Sequence, residues 1–249
     1  MSQYFAIDYQ GPAFDLFGPG HLLALAIVGS IIAFLFWGWR NPTEVGKERA
    51  RWILVGAFLL VEVSYHGWLV FYGVWNIQTH LPLHLCSFSI WGSLYMLITH
   101  DYRPYEILYF FGLGGATQAI LTPAAGDFGL PHFRAIQTLS SHSLVVITLI
   151  YLTVTVGLRP TWRSVIRAMI AINVLMVIVT CINLLIDSNY MYTLRKPDTA
   201  SLFDVMGPWP WYLFWTEFLA FGLFVLLYLP FALRDRIRAP AVARQPGES

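Results

Sequence analysis

The stretch VIRAMIAINVLMVIVTCINLLI at residues 165–186 decides the fold of this chain. It carries one charged side chain, Arg167, and has the length of about 20 residues that a helix needs to cross a bilayer. Six further apolar runs stand at approximately 21–39, 52–71, 83–99, 105–123, 137–157 and 211–233. The pattern predicts an all-α, polytopic transmembrane helix bundle with seven spans, and six or eight spans are the alternatives.

The composition excludes a soluble domain. Apolar residues make up 57% of the 249 residues and charged residues 12%, against about 25% charged in an average soluble domain. A net charge of +1 without a basic stripe predicts no nucleic-acid partner. Two cysteines form no disulfide framework. We expect one transmembrane domain over residues 1–233 and a disordered, basic cytoplasmic tail over 234–249.

The third and fourth runs are the least regular of the seven. Pro82 stands at the start of the third run, and the fourth contains the glycine-rich segment 112–115 and ends at Pro123. Proline and clustered glycines bend or interrupt helices, so these two spans are expected to be bent or shortened.

Basic residues occupy alternate loops, which predicts the orientation of the bundle. One set of loops and loop edges contains Arg40, Lys47, Arg49, Arg51, Arg103, Arg159, Arg163, Arg167, Arg234, Arg236, Arg238 and Arg244. The other set contains only Arg134, Arg195 and Lys196. Because lysine and arginine are retained on the cytoplasmic side, we expect a multi-pass protein of the cell membrane with its N-terminus outside and its C-terminus inside.

Polar residues within the spans then gather in the outer half of the bundle. They are Glu62, His66, His84, Cys86, Ser87, Ser89, Gln118, Thr122, Ser140, Ser141, His142, Cys181, Asn183, Asp187, Asn189 and Glu217. Polar groups are costly in hydrocarbon and need a partner or a function. We therefore expect a polar cavity in the outer half, bounded by spans 2, 3, 5, 6 and 7.

Spacing limits which of these side chains meet. Glu62 and His66 are four residues apart and share a helix face. His84 and Cys86 are two apart and face different ways on an ideal helix, so a histidine partner for Cys86 is sought in His142 or His66. Glu62 and Glu217 have a structural alternative, in which they neutralise histidines and hold the bundle together. Packing is the corresponding alternative for both cysteines.

Other chemistries are disfavoured by the sequence. Both lysines lie in loops, which excludes a retinal Schiff base within the bundle. Pro82 separates His80 from His84, and no carboxylate follows them in a zincin pattern, so no metal site is predicted. Asp127, His132 and Arg134 are expected to be solvated in the loop between spans 4 and 5.

Three motifs carry a resemblance to a known family. The strings HLPLHLC at 80–86, NYMYTLRKP at 189–197 and GPWPWY at 207–212 resemble the YwaF-type family of bacterial integral membrane proteins. That family is similar to a eukaryotic transmembrane acyltransferase that moves polyunsaturated acyl chains onto ether lysophospholipids. It is more distantly similar to androgen-induced membrane hydrolases of fatty acid esters of hydroxy fatty acids. In the acyltransferase, a cysteine at the start of one span and a histidine two spans later match Cys86 and His142.

The resemblance implies an integral membrane acyl-transfer enzyme, either a transacylase, an acyltransferase or a lipid ester hydrolase, that acts on glycerolipids without a cofactor. Cys86 would be the nucleophile and His142 the general base. The residues expected to support them or bind substrate are Glu62, His66, His84, Ser89, Gln118, Asn183 and Glu217, with Ser89, Gln118 or Asn183 as the oxyanion donor. An outer cavity cannot receive cytosolic acyl-CoA, so the expected partners are membrane phospholipid or lysophospholipid substrates.

Two other functions stay open at this point. One is a non-enzymatic carrier, channel or receptor with a polar ligand cavity in the outer half. The other is a haem or metal protein that uses His66, His84 and His142. The absence of an internal repeat and the scarcity of polar residues in the inner halves, where Asn173 is the main exception, disfavour a transport path.

Overall fold

The computed structural model describes residues 2–39, 41–123, 126–197 and 202–242, which contain seven α-helices and no β-strand. The helices are α1 (Pro19–Ala33), α2 (Glu44–Phe71), α3 (Leu85–Thr99), α4 (Tyr105–Leu121), α5 (Phe133–Tyr151), α6 (Trp162–Ile186) and α7 (Trp211–Val242). A π-helical turn continues α1 to Gly38, and another continues α5 to Val156. The all-α prediction is confirmed for the described part of the chain.

Five helices are long and apolar enough to cross a membrane: α1 with its π-turn, α2, α5 with its π-turn, α6 and α7. The other two are the helices of the third and fourth predicted spans. Helix α3 has 15 residues and α4 has 17, which corresponds to about 23 Å and 26 Å of helix, against a hydrocarbon core of about 30 Å. The expected shortening of these two spans is therefore observed.

Local sequence explains several helix ends. Thr43 accepts a hydrogen bond from the backbone N–H of Gly46 at the start of α2, and Thr161 with Ser164 forms a capping box at the start of α6. Gly157 adopts a left-handed conformation, φ 87°, where α5 with its π-turn ends. Helix α7 continues past the predicted end of its span at 233 to Val242, and residues 243–249 of the expected tail lie outside the described residues.

Helix α4 is the central helix of the bundle. Ten of its residues are buried, among them Phe110 and Ala116, and it packs against α3, α5, α6 and α7. The glycine-rich segment does not interrupt this helix, and its missing side chains permit close packing against the neighbouring helices. A Cβ atom at Gly112 would stand 2.4 Å from Cδ1 of Leu149 on α5, and one at Gly92 of α3 would stand 2.4 Å from Cδ1 of Leu108 on α4.

The peripheral helices expose apolar side chains. In the most apolar 18-residue stretch of each helix, 44% of the residues are buried in α5, but only 11% are buried in α1 and in α6, and 6% in α7. Ile170 and Val177 of α6, and Phe218 and Leu226 of α7, are among the exposed side chains. Such surfaces are suited to lipid, since large contiguous apolar faces are avoided in water.

Basic side chains gather at one end of the bundle, which we call the basic end and which contains the starts of α2, α4 and α6 and the ends of α3, α5 and α7. The polar contacts there are Arg51 to the Leu97 carbonyl, Tyr151 Oη to the Lys47 carbonyl at 3.0 Å, Tyr105 Oη to the Leu158 carbonyl at 3.3 Å, Arg159 to Asp235 at 2.6 Å, and Arg167 to Glu106 at 2.5 Å. These contacts hold the helix ends together.

The opposite end, which we call the cavity end, is organised by histidines and by the N-terminal segment. His132 donates through Nε2 to the Ala6 carbonyl at 3.0 Å, and its Nδ1 accepts the backbone N–H of Arg134 at 3.1 Å, which caps α5. His21 joins α1 to α4 through the Ile120 carbonyl at 2.8 Å. His132 is fully buried, so the expectation that it is solvated is wrong.

Candidate functional site

A cavity of about 370 Å³ opens at the cavity end. The sequence-predicted residues that line it are Glu62, His66, His84, Cys86 and His142. Further lining residues are Tyr65, Thr79, His80, Leu81, Pro82, Ser87, Ile90, Trp91, Ala119, Arg134, Gln137, Thr138, Ser141 and Tyr192. The cavity thus lies between α2, α3, α4, α5 and two loops, whereas the sequence placed it between spans 2, 3, 5, 6 and 7.

Cys86 occupies the first turn of α3 and is half-buried. Its Sγ atom faces α4, where a Cβ atom at Gly115 would stand 3.7 Å from it. His84 lines the same cavity because it is the N-cap residue of α3, with the extended backbone angles φ −79° and ψ 151°. The ideal-helix argument that His84 and Cys86 face different ways therefore does not apply here.

His142 on α5 has one ring nitrogen held by its own helix. Its Nδ1 atom lies 2.7 Å from the carbonyl oxygen of Thr138, which can only accept a hydrogen bond. Nδ1 therefore carries the proton, and Nε2 carries a lone pair. No hydrogen bond to Nε2 occurs within the described part of the chain, so this nitrogen is available as a base.

The other three imidazoles of the cavity have the opposite tautomer. Nδ1 of His66 accepts from Trp75 Nε1 at 3.2 Å, Nδ1 of His80 accepts from the backbone N–H of Asn76 at 3.3 Å, and Nδ1 of His84 accepts from the backbone N–H of Met191 at 3.3 Å. A ring nitrogen that accepts from an N–H group is unprotonated, so the proton is on Nε2. These three histidines present N–H donors, while His142 presents an acceptor.

Glu62 supplies a buried acidic group. Its side chain is only 6% exposed, and its Oε1 atom is buried without a hydrogen-bond partner among the described residues. A buried carboxyl oxygen without a partner is costly in a membrane-spanning helix. This atom is therefore a candidate contact for a ligand or a bound water.

Arg134 lines the cavity and was not predicted from the sequence as a site residue. It lies in the first turn of α5, half-buried, with its guanidinium 4.7 Å from the ring centre of Tyr65. Its Nη1 atom donates to Gln137 and, at 2.6 Å, to Oγ1 of Thr138. Arg134 is therefore part of the cavity wall and not a solvated loop residue. The sequence contains a sign of this position, because Gln137 and Thr138, three and four residues later, are polar and lie on the same helix face.

Four predicted site residues do not line the cavity. The Ser89 hydroxyl is buried and donates to the Leu85 carbonyl at 3.1 Å, and Gln118 is exposed at the last turn of α4. Asn183 is fully buried and holds the loop after α6 through Ser188, Tyr190 and Thr193. Glu217 accepts from Asn173 at 2.8 Å and so joins α6 to α7.

The structure also places the second cysteine and the possible metal ligands. Cys181 is exposed on α6 and is absent from the cavity lining. Within residues 2–39, 41–123, 126–197 and 202–242, no group of three or more His, Cys, Asp or Glu is placed to hold a metal ion. In particular, His66, His84 and His142 share the cavity without forming such a group.

The fold and the site define a class of protein: an α-helical integral membrane protein with a polar cavity at one end of its bundle. The chain belongs to the TMEM164 family, whose model matches residues 16–228. No curated protein and no solved structure matches the chain.

Proposed function

We propose that this chain is an integral membrane acyl-transfer enzyme that acts on glycerolipids, with Cys86 as the nucleophile and His142 as the general base. The observation that carries the proposal is that, among the hydrogen bonds of the described residues, His142 is the one cavity histidine left with an available Nε2 lone pair, and it shares its cavity with Cys86. The resemblance to the YwaF-type family and to the transmembrane acyltransferase supports the same two residues. Membership of the TMEM164 family supports a membrane setting for the reaction.

The reaction proceeds in two half-reactions. Nε2 of His142 takes the thiol proton as Sγ of Cys86 attacks the ester carbonyl carbon of a glycerolipid. The tetrahedral intermediate collapses, the ester C–O bond breaks, and His142 returns the proton to the departing glycerol oxygen. The acyl group remains on Cys86 as a thioester. A lysolipid hydroxyl or water, deprotonated by His142, then attacks the thioester and releases Cys86 as the thiol.

The first turn of α3 offers an oxyanion site. His84, the N-cap residue, makes no side-chain capping hydrogen bond, so the first backbone N–H groups of α3 are left for another acceptor. These groups adjoin Cys86, and the carbonyl oxygen becomes negative next to Cys86 during attack. This assignment replaces Ser89, Gln118 and Asn183, whose polar groups lie outside the cavity or are engaged elsewhere.

Substrate binding must bring the nucleophile and the base together. No hydrogen bond joins Sγ of Cys86 to an imidazole within the described part of the chain. Catalytic hydrogen bonds are often long before substrate binds and shorten in the complex. The proposal therefore includes a small movement of α3 against α5 on substrate binding.

The proposed setting is the outer half of the cell membrane. Basic residues gather at the end of the bundle opposite the cavity, which favours a cytoplasmic basic end and an outer cavity, with the N-terminus outside and seven crossings. Cytosolic acyl-CoA has no access to such a cavity. Phospholipid itself is then the acyl donor, and the reaction is transacylation or hydrolysis.

The experiment that tests this proposal uses the full-length protein in proteoliposomes that contain a phospholipid with a labelled acyl chain and an unlabelled lysophospholipid. Cys86→Ala and His142→Ala are expected to lower transfer of the label at least about 100-fold, since acid–base catalysis alone contributes about 10²–10⁴. Cys181→Ala is the matched control and should leave the rate unchanged, because Cys181 is exposed on α6. Unchanged transfer in Cys86→Ala would refute the proposal.

One observation favours a carrier or receptor as the second candidate function. Glu62 lines the cavity, and its buried Oε1 atom has no hydrogen-bond partner among the described residues, so a ligand donor could satisfy it. A ligand-binding role predicts that Cys86→Ser retains function while Glu62→Gln loses ligand binding. The acyl-transfer proposal predicts instead that Cys86→Ser lowers turnover at least about 100-fold, because a hydroxyl is a far weaker nucleophile than a thiol.

A further inference from the structure

We propose that Arg134, His66 and His80 form a phosphate-binding subsite of the cavity. The inference rests on the proposed function in one respect, namely that lipid is the ligand of this cavity. The group that the subsite would bind is a phosphate, which either a phospholipid or free phosphate supplies. Binding is measured separately from turnover, so the two proposals fail independently.

The guanidinium of Arg134 is the first element of the subsite. Only its Nη1 atom is engaged, with Gln137 and Thr138, and no carboxylate forms a salt bridge with it in the described part of the chain. The Nε and Nη2 donors are left over in a half-buried position. A cation in a membrane protein is costly unless an anion pairs with it, and guanidinium donors match phosphate oxygens in pairs.

Two imidazole N–H donors accompany this cation. Nε2 of His66 and of His80 carries the proton, because Nδ1 of each ring accepts from an N–H donor. Burial lowers the pKa of His80, and the positive charge of Arg134 lowers it further. His80 is thus a neutral N–H donor at pH 7, and it lines the same cavity as Arg134 and His66.

The acidic group of the cavity lies deeper. Glu62 precedes His66 by one turn on α2, on the side away from the cavity end of the helix. Arg134 and Glu62 line the same cavity but form no salt bridge with each other. The positive and N–H-donating groups therefore stand nearer the end of the bundle, where the headgroup region of a membrane is expected, and the carboxyl stands further in.

Thr138 connects the subsite to the proposed base. Its hydroxyl accepts from Arg134 at 2.6 Å, and its carbonyl accepts from Nδ1 of His142 at 2.7 Å. The four residues from Thr138 to His142 span about 6 Å along the helix axis. In a glycerophospholipid, the phosphate and an acyl ester occupy neighbouring glycerol carbons. A phosphate held by Arg134 would thus bring the ester to the depth of His142 and Cys86.

The test measures protection of Cys86 from alkylation in the full-length Cys181→Ala protein, so that Cys86 is the one thiol. The probes are dihexanoyl phosphatidylglycerol, dihexanoylglycerol without phosphate, and inorganic phosphate. We expect phosphatidylglycerol to protect at a concentration at least about 10-fold lower than dihexanoylglycerol, since hydrogen bonds to charged groups are the stronger ones. Protection by inorganic phosphate at equal or lower concentration would support the subsite and identify free phosphate as its ligand.

Variants then assign the subsite to its residues. Arg134→Gln should weaken protection by phosphatidylglycerol at least about 10-fold, and His80→Phe should weaken it to a smaller degree. Arg163→Gln is the matched control, because it removes an exposed arginine at the basic end. If Arg134→Gln does not fold, Arg134→Lys replaces it, with an expected loss of a few-fold. Equal protection by dihexanoylglycerol, or unchanged protection in the folded Arg134 variant, would overturn the proposal.

Protection and turnover together separate the two proposals. Phosphate-dependent protection that is lost in the Arg134 variant, without any acyl transfer by the wild-type protein, would uphold the subsite and refute the acyl-transfer function. Acyl transfer by the wild-type protein without phosphate-dependent protection would uphold the acyl-transfer function and refute the subsite.

Discussion

Replacement of Gly112 by alanine tests how the bundle brings the candidate residues together. A Cβ atom at this position of α4 would stand 2.4 Å from Cδ1 of Leu149, 2.8 Å from Cγ1 of Val145 and 3.6 Å from Cβ of Ser89. Leu149 and Val145 belong to α5 and are fully buried. Ser89 belongs to α3 and would be at ordinary contact distance, so the new methyl group would press on α5, the helix that carries His142.

The expected magnitude follows from two opposing effects. Overpacking a well-packed core costs about 1–3 kcal/mol. Alanine is favoured over glycine within a helix by about 1 kcal/mol. The net loss of unfolding free energy for Gly112→Ala is therefore about 0–2 kcal/mol. Gly56→Ala on α2 is the matched control: a Cβ there meets no atom within 4 Å, so only the gain of about 1 kcal/mol applies.

The assay compares apparent melting temperatures of the two purified variants in the same detergent, followed by alkylation of Cys86. Gly112→Ala should melt about 2–12 °C below Gly56→Ala, which corresponds to a difference of about 1–3 kcal/mol. The alkylation rate of Cys86 should change in Gly112→Ala and not in Gly56→Ala. Equal melting temperatures together with equal alkylation rates would refute the close packing of α4 against α5.

Three further predictions concern the surroundings of the cavity. Burial lowers the pKa of His132 in the folded protein, and its hydrogen bond to Ala6 opposes this effect. As the pH falls below about 6.5, His132 therefore becomes protonated in the unfolded chain before it does so in the folded protein. The unfolding free energy should fall with pH in this range, and it should fall less steeply in His132→Asn. Asn183→Ala should lower the unfolding free energy by about 2–4 kcal/mol, measured by thermal melting. The substitution removes the hydrogen bonds that Asn183 makes with buried groups of Ser188, Tyr190 and Thr193. Gly115→Ala should keep Cys86 alkylation at the wild-type rate, whereas Gly115→Val should slow it, since the γ-methyl groups would reach a sulfur 3.7 Å from the Cβ position. The first prediction is contradicted if the stability difference between wild type and His132→Asn does not depend on pH, and the second if Asn183→Ala leaves the melting temperature unchanged. Equal alkylation rates of Cys86 in the two Gly115 variants would contradict the third.

The helices could be predicted from the sequence because hydropathy reports directly on them. All seven apolar runs correspond to helices, and the run at 105–123 differs from α4 by two residues at its end. The role of the segment 112–115 could not be predicted in this way. Glycines favour both bending and close helix packing, and the choice between these depends on neighbours such as Leu149.

The site could be predicted only in part. The polar residues predicted for one bundle end include seven that line the cavity, because depth in the membrane follows from position along a span. Position along a span does not show which way a side chain faces around the helix axis or which residues of other helices it contacts. Asn183 and Glu217 lie at similar depth but are engaged with their own neighbours, and Arg134 reaches the cavity from a position that hydropathy assigns to a loop.

The most direct test of the account is detection of an acyl group on Cys86. The full-length protein is incubated with a phospholipid that carries a deuterated acyl chain, quenched in acid, digested and examined by mass spectrometry. The account predicts a deuterated acyl thioester on the peptide that contains Cys86, sensitive to hydroxylamine and lost in His142→Ala. Acyl transfer with an unmodified Cys86, or with the label on Cys181, would contradict it.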